Sequence, residues 1–254
     1  MNGEYRATLA ERVFRLSARI LLAAAALAAA GCGPARSAEP TKHAEPAKQA
    51  EPAKEAADAP AASAHVSGVP EYRCRRVTSA IAVDGDIGDA AWKEAVWVAL
   101  PPAEHPPGEH KVQRASAAAL YDDRFLYVAW DCDDDEIVSS LKNRDDPVWS
   151  QDCVEFFLSQ KDDDGVYFEF EVSPDGVLFD ALIIKDKARR HTVLSWNPPK
   201  VAAAAKRRKG GYTVELAVPF SETFRGRRVP PWHGDRWRGN FYRIDCGKEG
   251  AFDY

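Results

Sequence analysis

Three glutamates in this sequence are placed where their carboxylates could act together. Glu155 lies on the polar face of a segment that alternates polar and apolar residues, and Glu169 and Glu171 lie on the polar face of the next such segment. Two carboxylates about 5–5.5 Å or 6.5–9.5 Å apart can hydrolyse a glycosidic bond. The same carboxylates can instead accept hydrogen bonds from the hydroxyl groups of a bound ligand. The sequence therefore predicts an acidic site and leaves both uses of it open.

Trp149 precedes the first of these segments and lies in a polar stretch, residues 146–151. An aromatic ring at such a position can stack on the C–H face of a sugar ring, whose hydroxyl groups need carboxylates or amides. Glu155 follows Trp149 by six residues, so one ligand could contact both. The alternative is that the indole packs into the core at the end of the strand.

An acidic run follows the predicted strand that ends at Trp130. Carboxylate oxygens are the ligands that Ca²⁺ prefers, so we expect a structural calcium ion bound by Asp131, Asp133 and Asp134. The run lacks the Asp-x-Asp-x-Asp-Gly spacing of a calcium-binding loop. A solvated acidic turn is therefore the alternative.

Residues 69–254 show mostly the two-residue periodicity of β-strands. Strand-like segments flank residues 122–124, 173–176 and 209–211, which have the composition of hairpin turns. One short segment, residues 89–95, resembles a helical turn. Many strands joined by short turns favour an all-β fold, an antiparallel β-sandwich of the jelly-roll type.

The first 69 residues contain only two aromatic residues and differ from the remainder. Four arginines precede an apolar run at residues 20–30, and small residues then lead directly to Cys32, as in a bacterial lipoprotein signal peptide. We expect residues 1–31 to be this signal peptide, Cys32 to carry lipid, and residues 32–68 to form a disordered Ala/Glu/Pro/Lys linker. The protein would then be an exported outer-membrane lipoprotein on the periplasmic or cell-surface face. An ordinary signal peptide cleaved near Ala30 is the alternative.

Composition narrows the remaining classes of function. The formal net charge is −5, so no nucleic-acid partner is expected. The single methionine is the initiator, which excludes a haem with a Met ligand and leaves open a bis-histidine site among His105, His110, His191 and His233. In an oxidising compartment we expect at least one disulfide, with four buried thiols as the alternative; besides Cys32, the cysteines are Cys74, Cys132, Cys153 and Cys246.

Six segments in order along residues 72–245 resemble the family 9 carbohydrate-binding modules that accompany endoxylanases. These segments are residues 81–95, 120–128, 147–157, 167–176, 211–220 and 240–243. The resemblance implies a sugar-binding β-sandwich in which Trp149 stacks on the sugar and Glu155 binds its hydroxyl groups. It also implies a structural calcium ion and places Glu171 at a position of the binding site. Arg243 is a further candidate for binding, whose side chain points either inward or outward.

The sequence departs from the family pattern at two places. Glu171 stands where well-studied sugar-binding members carry an arginine, which makes the predicted site strongly acidic. The family pattern also continues with a Trp-containing loop and a final strand. Either the chain is truncated at its C terminus or the site has only one aromatic wall, and Trp232 and Trp237 are the candidates for a second wall.

The favoured interpretation is a non-catalytic module that binds an oligo- or polysaccharide at the cell surface, in polysaccharide capture or catabolism. Three alternatives stay open. They are a structural or interaction lipoprotein whose module has lost sugar binding, a glycoside hydrolase that uses Glu155 and Glu171, and a related sandwich that binds haem or another redox cofactor.

Overall fold

The structure, a computed structural model, describes residues 70–101, 113–161, 165–186, 189–223, 228–247 and 252–253. The predicted signal peptide, Cys32 and the predicted linker lie outside these residues. In the described part of the chain, regular structure is nearly all β-strand, with two 3-10 turns at Ala90–Lys93 and Val148–Ser150. No helix within it has the length and hydrophobicity needed to cross a bilayer.

The strands form two six-stranded sheets. The first contains β1 (Arg75–Arg76), β2 (Val98–Ala99), β3 (Ala115–Tyr121), β4 (Phe125–Asp133), β9 (Ala202–Arg208) and β10 (Gly211–Pro219). Its order is β1-β3-β4-β10-β9, with β2 also paired to β3. The second contains β5 (Cys153–Ser159), β6 (Val166–Val172), β7 (Leu178–Lys185), β8 (Arg190–Val193), β11 (Arg238–Cys246) and β12 (Phe252–Asp253). Its order is β12-β11-β5-β6-β7-β8.

The two sheets pack face to face as the predicted β-sandwich, which is confirmed. Val128 and Trp130 of the first sheet share one buried core with Val154 and Phe156 of the second. Successive side chains of a strand point to opposite faces. Glu155, which lies between Val154 and Phe156, therefore points away from this core. The alternation of apolar and polar residues along β5 therefore determines which of its side chains lie on the outer face of the second sheet.

The predicted hairpins are present. Strands β3 and β4 pair across residues 122–124, where Asp122 Oδ1 accepts hydrogen bonds from the backbone N–H groups of Arg124 and Phe125 at 2.6 and 2.7 Å. Strands β9 and β10 pair across Lys209-Gly210. Gly211 is required there because a Cβ atom would lie 2.0 Å from the Cys132 carbonyl oxygen.

The outer side of the first sheet is covered by the segment that precedes β2. Trp92, buried in the predicted helical turn, donates a hydrogen bond from Nε1 to Glu215 Oε1 at 2.7 Å. Glu215 Oε2 accepts hydrogen bonds from the backbone N–H groups of Asp84 and Gly85. One buried carboxylate of β10 thus fixes both the turn and the indole, and this side of the sandwich is closed by the chain itself.

All four cysteines of the described residues are free thiols. Cys132, Cys153 and Cys246 are buried, and Cys74 is partly buried. The expected disulfide is therefore not observed, and the arrangement corresponds to the thiol alternative.

Candidate functional site

The outer face of the second sheet, the side that points away from the core, brings together three of the predicted site residues. Glu155 on β5 and Glu171 on β6 are directly paired across the strands. Trp149 packs in one apolar cluster with Cys153 and Phe179 of this face. The Cys153 Sγ atom and one carboxylate oxygen from each glutamate lie within 4.8 Å of one another. Trp149, Glu155 and Glu171 therefore belong to one surface, as the sequence predicted.

Trp149 is partly packed and partly exposed. It lies in the 3-10 turn that follows Pro147, and its ring meets the Phe179 ring nearly edge to face, with the centroids 4.8 Å apart. The indole therefore supports the sheet and still presents surface to solvent, so both uses that the sequence left open are compatible.

Burial makes this face less negative than its three glutamates suggest. Burial, and then the charge of Glu169, raises the pKa of Glu155 to about 8. Burial also raises the pKa of Glu171 well above its usual range, with contributions from Glu155 and Glu169. The pKa of Glu169 is raised by burial, an effect that the Arg190 guanidinium at 2.9 Å partly offsets. Burial therefore favours the protonated forms of Glu155 and Glu171, and a protonated carboxyl group can donate as well as accept hydrogen bonds.

The same geometry disfavours glycoside hydrolysis by Glu155 and Glu171. A hydrolase places its two carboxyl groups on either side of the bond to be cleaved. Glu171 is only 2% exposed and Glu155 only 9%, and they face each other across neighbouring strands. A sugar linkage cannot enter between two buried side chains in this arrangement.

Aromatic side chains that the sequence pattern did not single out surround the acidic pair. Tyr242 of β11 is the cross-strand partner of Glu155 and is 38% exposed. The Phe157 ring centroid lies 5.8 Å from that of Tyr242 and 6.1 Å from that of Tyr167. Beyond them, a pocket of about 160 Å³ is lined in part by Phe157, Tyr167 and Asn240. The outer face thus combines aromatic surface with hydrogen-bonding groups.

A family described as carbohydrate family 9 binding domain-like matches residues 83–231, more than half of the chain. The chain belongs to this family. The match contains Trp149, Glu155 and Glu171 and ends before β11. The resemblance predicted from the sequence segments is therefore confirmed at the level of the family.

Solved structures share the fold of this family 9 domain. A candidate carbohydrate-binding protein from Bacteroides uniformis has a TM-score of 0.55 and 19% identity, covering 68% of this chain and 82% of that one. A family 9 carbohydrate-binding module from Caldicellulosiruptor kristjanssonii was solved with cellotriose; its TM-score is 0.51 and its identity 17%, over 70% of this chain and 80% of that one. The same module with glucose has a TM-score of 0.51 and 16% identity, over 70% and 83%. At these identities the likeness establishes the fold alone.

A relative among characterised sequences is named "Extracellular protein" and comes from Arthroderma benhamiae. It is 25% identical over 158 residues, which are 56% of this chain and 68% of the relative. The common region is therefore of the size of one domain.

Arg243 lies on the opposite side of the second sheet from Trp149 and the glutamates. Its side chain is 5% exposed and points between the sheets of the family 9 domain, where its Nη2 atom lies 3.0 Å from Asp134 and 3.1 Å from Asp245. Its Nη1 atom donates a hydrogen bond to the Asp133 carbonyl oxygen at 2.8 Å. The structure thus does not bring Arg243 together with the other predicted binding residues. The neighbouring residue on β11, Tyr242, faces them instead.

The three aspartates expected to bind calcium are divided in the structure. Both oxygens of Asp131 and both oxygens of Asp133 accept hydrogen bonds from Arg114 or Arg208, at 2.7–3.0 Å. Asp134 points inward to Arg243. A calcium ion would have to displace two guanidinium groups, so this set of oxygens does not fit the expected ion.

Neither tryptophan considered for a second aromatic wall lies near Trp149. Trp232 is 51% exposed under the Arg228 guanidinium, and Trp237 packs against Phe220. Trp232 and Trp237 precede Arg238, which pairs with Ser159 at the end of β5. Trp149 instead precedes Cys153, the first residue of β5. Six residues of strand separate these ends by roughly 20 Å. The aromatic rings close to the predicted site are those of Phe157, Tyr167 and Tyr242.

Proposed function

We propose that the outer face of the second sheet binds carbohydrate, without cleaving it, through Trp149, Glu155 and Tyr242. The observation that carries the proposal is that the partly exposed rings of Trp149 and Tyr242 lie on the same face as the Glu155 carboxyl group in a family 9 domain. Sugar rings combine apolar C–H faces with hydroxyl groups, and aromatic rings beside a carboxyl group complement both.

The residues have different parts in this proposal. Tyr242 and Trp149 offer ring surface, because both are partly exposed. Glu155 is 9% exposed, and its carboxyl group offers hydrogen bonds to the hydroxyl groups of a sugar. Glu171 is buried opposite Glu155 on the neighbouring strand and does not reach the ligand. The ligands of the Caldicellulosiruptor kristjanssonii module make cellotriose and glucose the first probes to use.

Trp149→Ala is expected to weaken cellotriose binding by about 2 kcal/mol, roughly 30-fold in Kd, because it removes the indole surface. Tyr242→Ala is expected to weaken it by about tenfold. Isothermal titration calorimetry with cellotriose and affinity electrophoresis in soluble glucan and xylan gels measure both effects. Circular dichroism checks that each variant is folded.

The matched control is Trp232→Ala, which removes a more exposed tryptophan ring that stacks under Arg228 outside this face and should leave the Kd unchanged. Wild-type affinity in both outer-face variants would exclude this face as the site. No retention of the wild-type protein by any of these glycans would refute carbohydrate binding and favour a structural module that has lost its ligand. Sugar release from the glycans would refute the non-catalytic assignment.

We also propose that Cys32 is lipidated and holds the domain at the outer membrane, where it captures polysaccharide for catabolism. The sequence of residues 20–32 supports the anchor, and the name of the Arthroderma benhamiae relative supports an exported location. Cys32→Ser is expected to move the protein from the membrane fraction to the soluble fraction, as measured by immunoblotting. Cys74→Ser serves as the control; release by both variants, or by neither, would contradict the anchor.

A further inference from the structure

Three side chains beneath the outer face form a compact set of potential metal ligands. The Cys153 Sγ atom and one oxygen from each of Glu155 and Glu171 lie within 4.8 Å of one another, and Sγ lies 3.8 Å from Glu155 Oε1. A four-coordinate ion with ligand bonds of about 2.0–2.3 Å requires ligand atoms separated by less than twice that length. The limit is about 4.0–4.6 Å, and the 3.8 Å distance between Sγ and Glu155 Oε1 already meets it. The 4.8 Å bound on the other distances exceeds it, so the side chains must draw together by a few tenths of an ångström to share one ion.

The described residues do not supply a hydrogen-bond partner for every oxygen atom of this set. The Glu171 Oε2 atom is buried and has no hydrogen-bond partner. Glu155 lies directly opposite Glu171 on the neighbouring strand, and like charges in that position repel each other. The nearby Arg190 guanidinium is paired with Glu169. A buried carboxylate without a partner is costly, so the pair requires protons or a cation.

The chemistry of the donors selects the class of cation. Ca²⁺ and Mg²⁺ prefer sites made only of oxygen ligands, whereas a thiolate favours zinc and other borderline or soft metals. Sites with three protein ligands leave a fourth position for water or a ligand. Glu169, on the same strand as Glu171 and close enough to raise the pKa of that carboxyl, is positioned to orient a ligating carboxylate.

We propose that Cys153, Glu155 and Glu171 bind one Zn²⁺ ion. The thiol and the carboxyl groups release their protons to solvent when the ion enters. The three ligand charges and the ion then sum to −1, beside the Glu169–Arg190 ion pair. The site shares Glu155 with the carbohydrate surface proposed above, but its three donors all come from the protein, so the ion can bind without a sugar.

The test uses the full-length protein, reduced, stripped with a chelator and titrated without any glycan. Calorimetry with Zn²⁺ is expected to give one site per chain. Absorption with Co²⁺ is expected to give a near-ultraviolet thiolate-to-cobalt charge-transfer band. Cys153→Ala should lose both the site and the band, and Cys74→Ala, which removes a partly buried thiol elsewhere, should keep both. Glu169→Gln should weaken Zn²⁺ binding by about 10–100-fold while the band remains.

Absence of saturable Zn²⁺ binding to the wild-type protein would overturn the proposal. So would an unchanged affinity in Cys153→Ala, or loss of binding in Cys74→Ala alone. If Cys153→Ala does not fold, Glu171→Gln, which keeps the side-chain volume, is compared in its place and must also lose the site. Because glycan is absent throughout, the result stands apart from the outcome of the carbohydrate assays.

Discussion

Arg243→Ala is expected to lower the free energy of unfolding by about 3–5 kcal/mol, because it leaves buried carboxylates without their cation. The Arg243 guanidinium lies 3.0 Å from Asp134 and 3.1 Å from Asp245, and none of these side chains is more than 5% exposed. Arg243 belongs to the second sheet, and Asp134 directly follows β4 of the first. The ion pair therefore joins the two sheets of the sandwich.

Neighbouring groups increase the cost of this substitution. One oxygen from each of Asp134, Asp152 and Asp245 lies within 4.8 Å of the others. Burial raises the pKa of Asp152 to about 7, with smaller contributions from Asp134 and Asp245. Without Arg243 these carboxyl groups would face one another with no positive charge between them, and the backbone carbonyl of Asp133 would lose its hydrogen bond.

Urea denaturation at neutral pH, followed by tryptophan fluorescence, measures the loss. The matched control is Arg236→Ala, which breaks a 2.7 Å ion pair with Glu71 between side chains 57% and 55% exposed. Such a surface pair contributes less than about 1 kcal/mol. Equal effects of the two substitutions would contradict the structural role assigned to Arg243.

Asp180→Asn is expected to flatten the pH dependence of stability between about pH 4 and pH 6. Asp180 of β7 is fully buried and is ion-paired with Arg144. Its Oδ1 atom has no hydrogen-bond partner. Burial raises the pKa of Asp180 to about 6 despite the opposing effect of Arg144. In an unfolded chain an aspartate has a pKa near 3.9.

The direction of the effect follows from proton binding. Between these two pKa values the folded protein holds a proton that the unfolded chain has released, so this group makes stability fall as the pH rises. The wild-type free energy of unfolding should therefore lose about 1–3 kcal/mol more than that of Asp180→Asn between pH 4 and pH 6.5. This range allows for solvent screening through Arg144, whose side chain is 38% exposed.

Denaturant titrations at half-unit pH intervals provide the two curves. Asp123→Asn, at an exposed carboxylate paired with Arg76, is the control for removal of an ion-paired surface carboxylate. Parallel curves for Asp180→Asn and wild type would show that Asp180 titrates alike in the folded and unfolded states.

Features with local causes could be predicted from the sequence. The alternation of residues 153–158 placed Val154 and Phe156 inward and Glu155 outward, as observed. The Asp122 and Gly211 turns were recognisable because their residue types suit the backbone of a tight turn. The order of such segments along the chain was enough to identify the family, and the family match over residues 83–231 confirms it.

The assignment of Arg243 shows where local pattern was insufficient. Tyr242 and Arg243 are adjacent, and a shift of one residue exchanges the two faces of a strand. The sequence therefore supplied both an aromatic ring and an arginine, and only the pairing of Tyr242 with Glu155 decided which of them faces outward. The residues expected to bind calcium do not fit that ion for a related reason, since Arg114, directly before β3, and Arg208 of β9 pair with Asp131 and Asp133.

The sequence by itself determined the class of fold, the family and the presence of Trp149, Glu155 and Glu171 near one surface. These follow from two-residue periodicity, turn chemistry and proximity along paired strands. The tertiary structure alone decided which carboxylates are buried, which are paired with arginine, and that Cys153 lies with Glu155 and Glu171. Burial and ion pairing depend on side chains that are distant along the chain, and their energies arise only when the two sheets and their outer coverings come together.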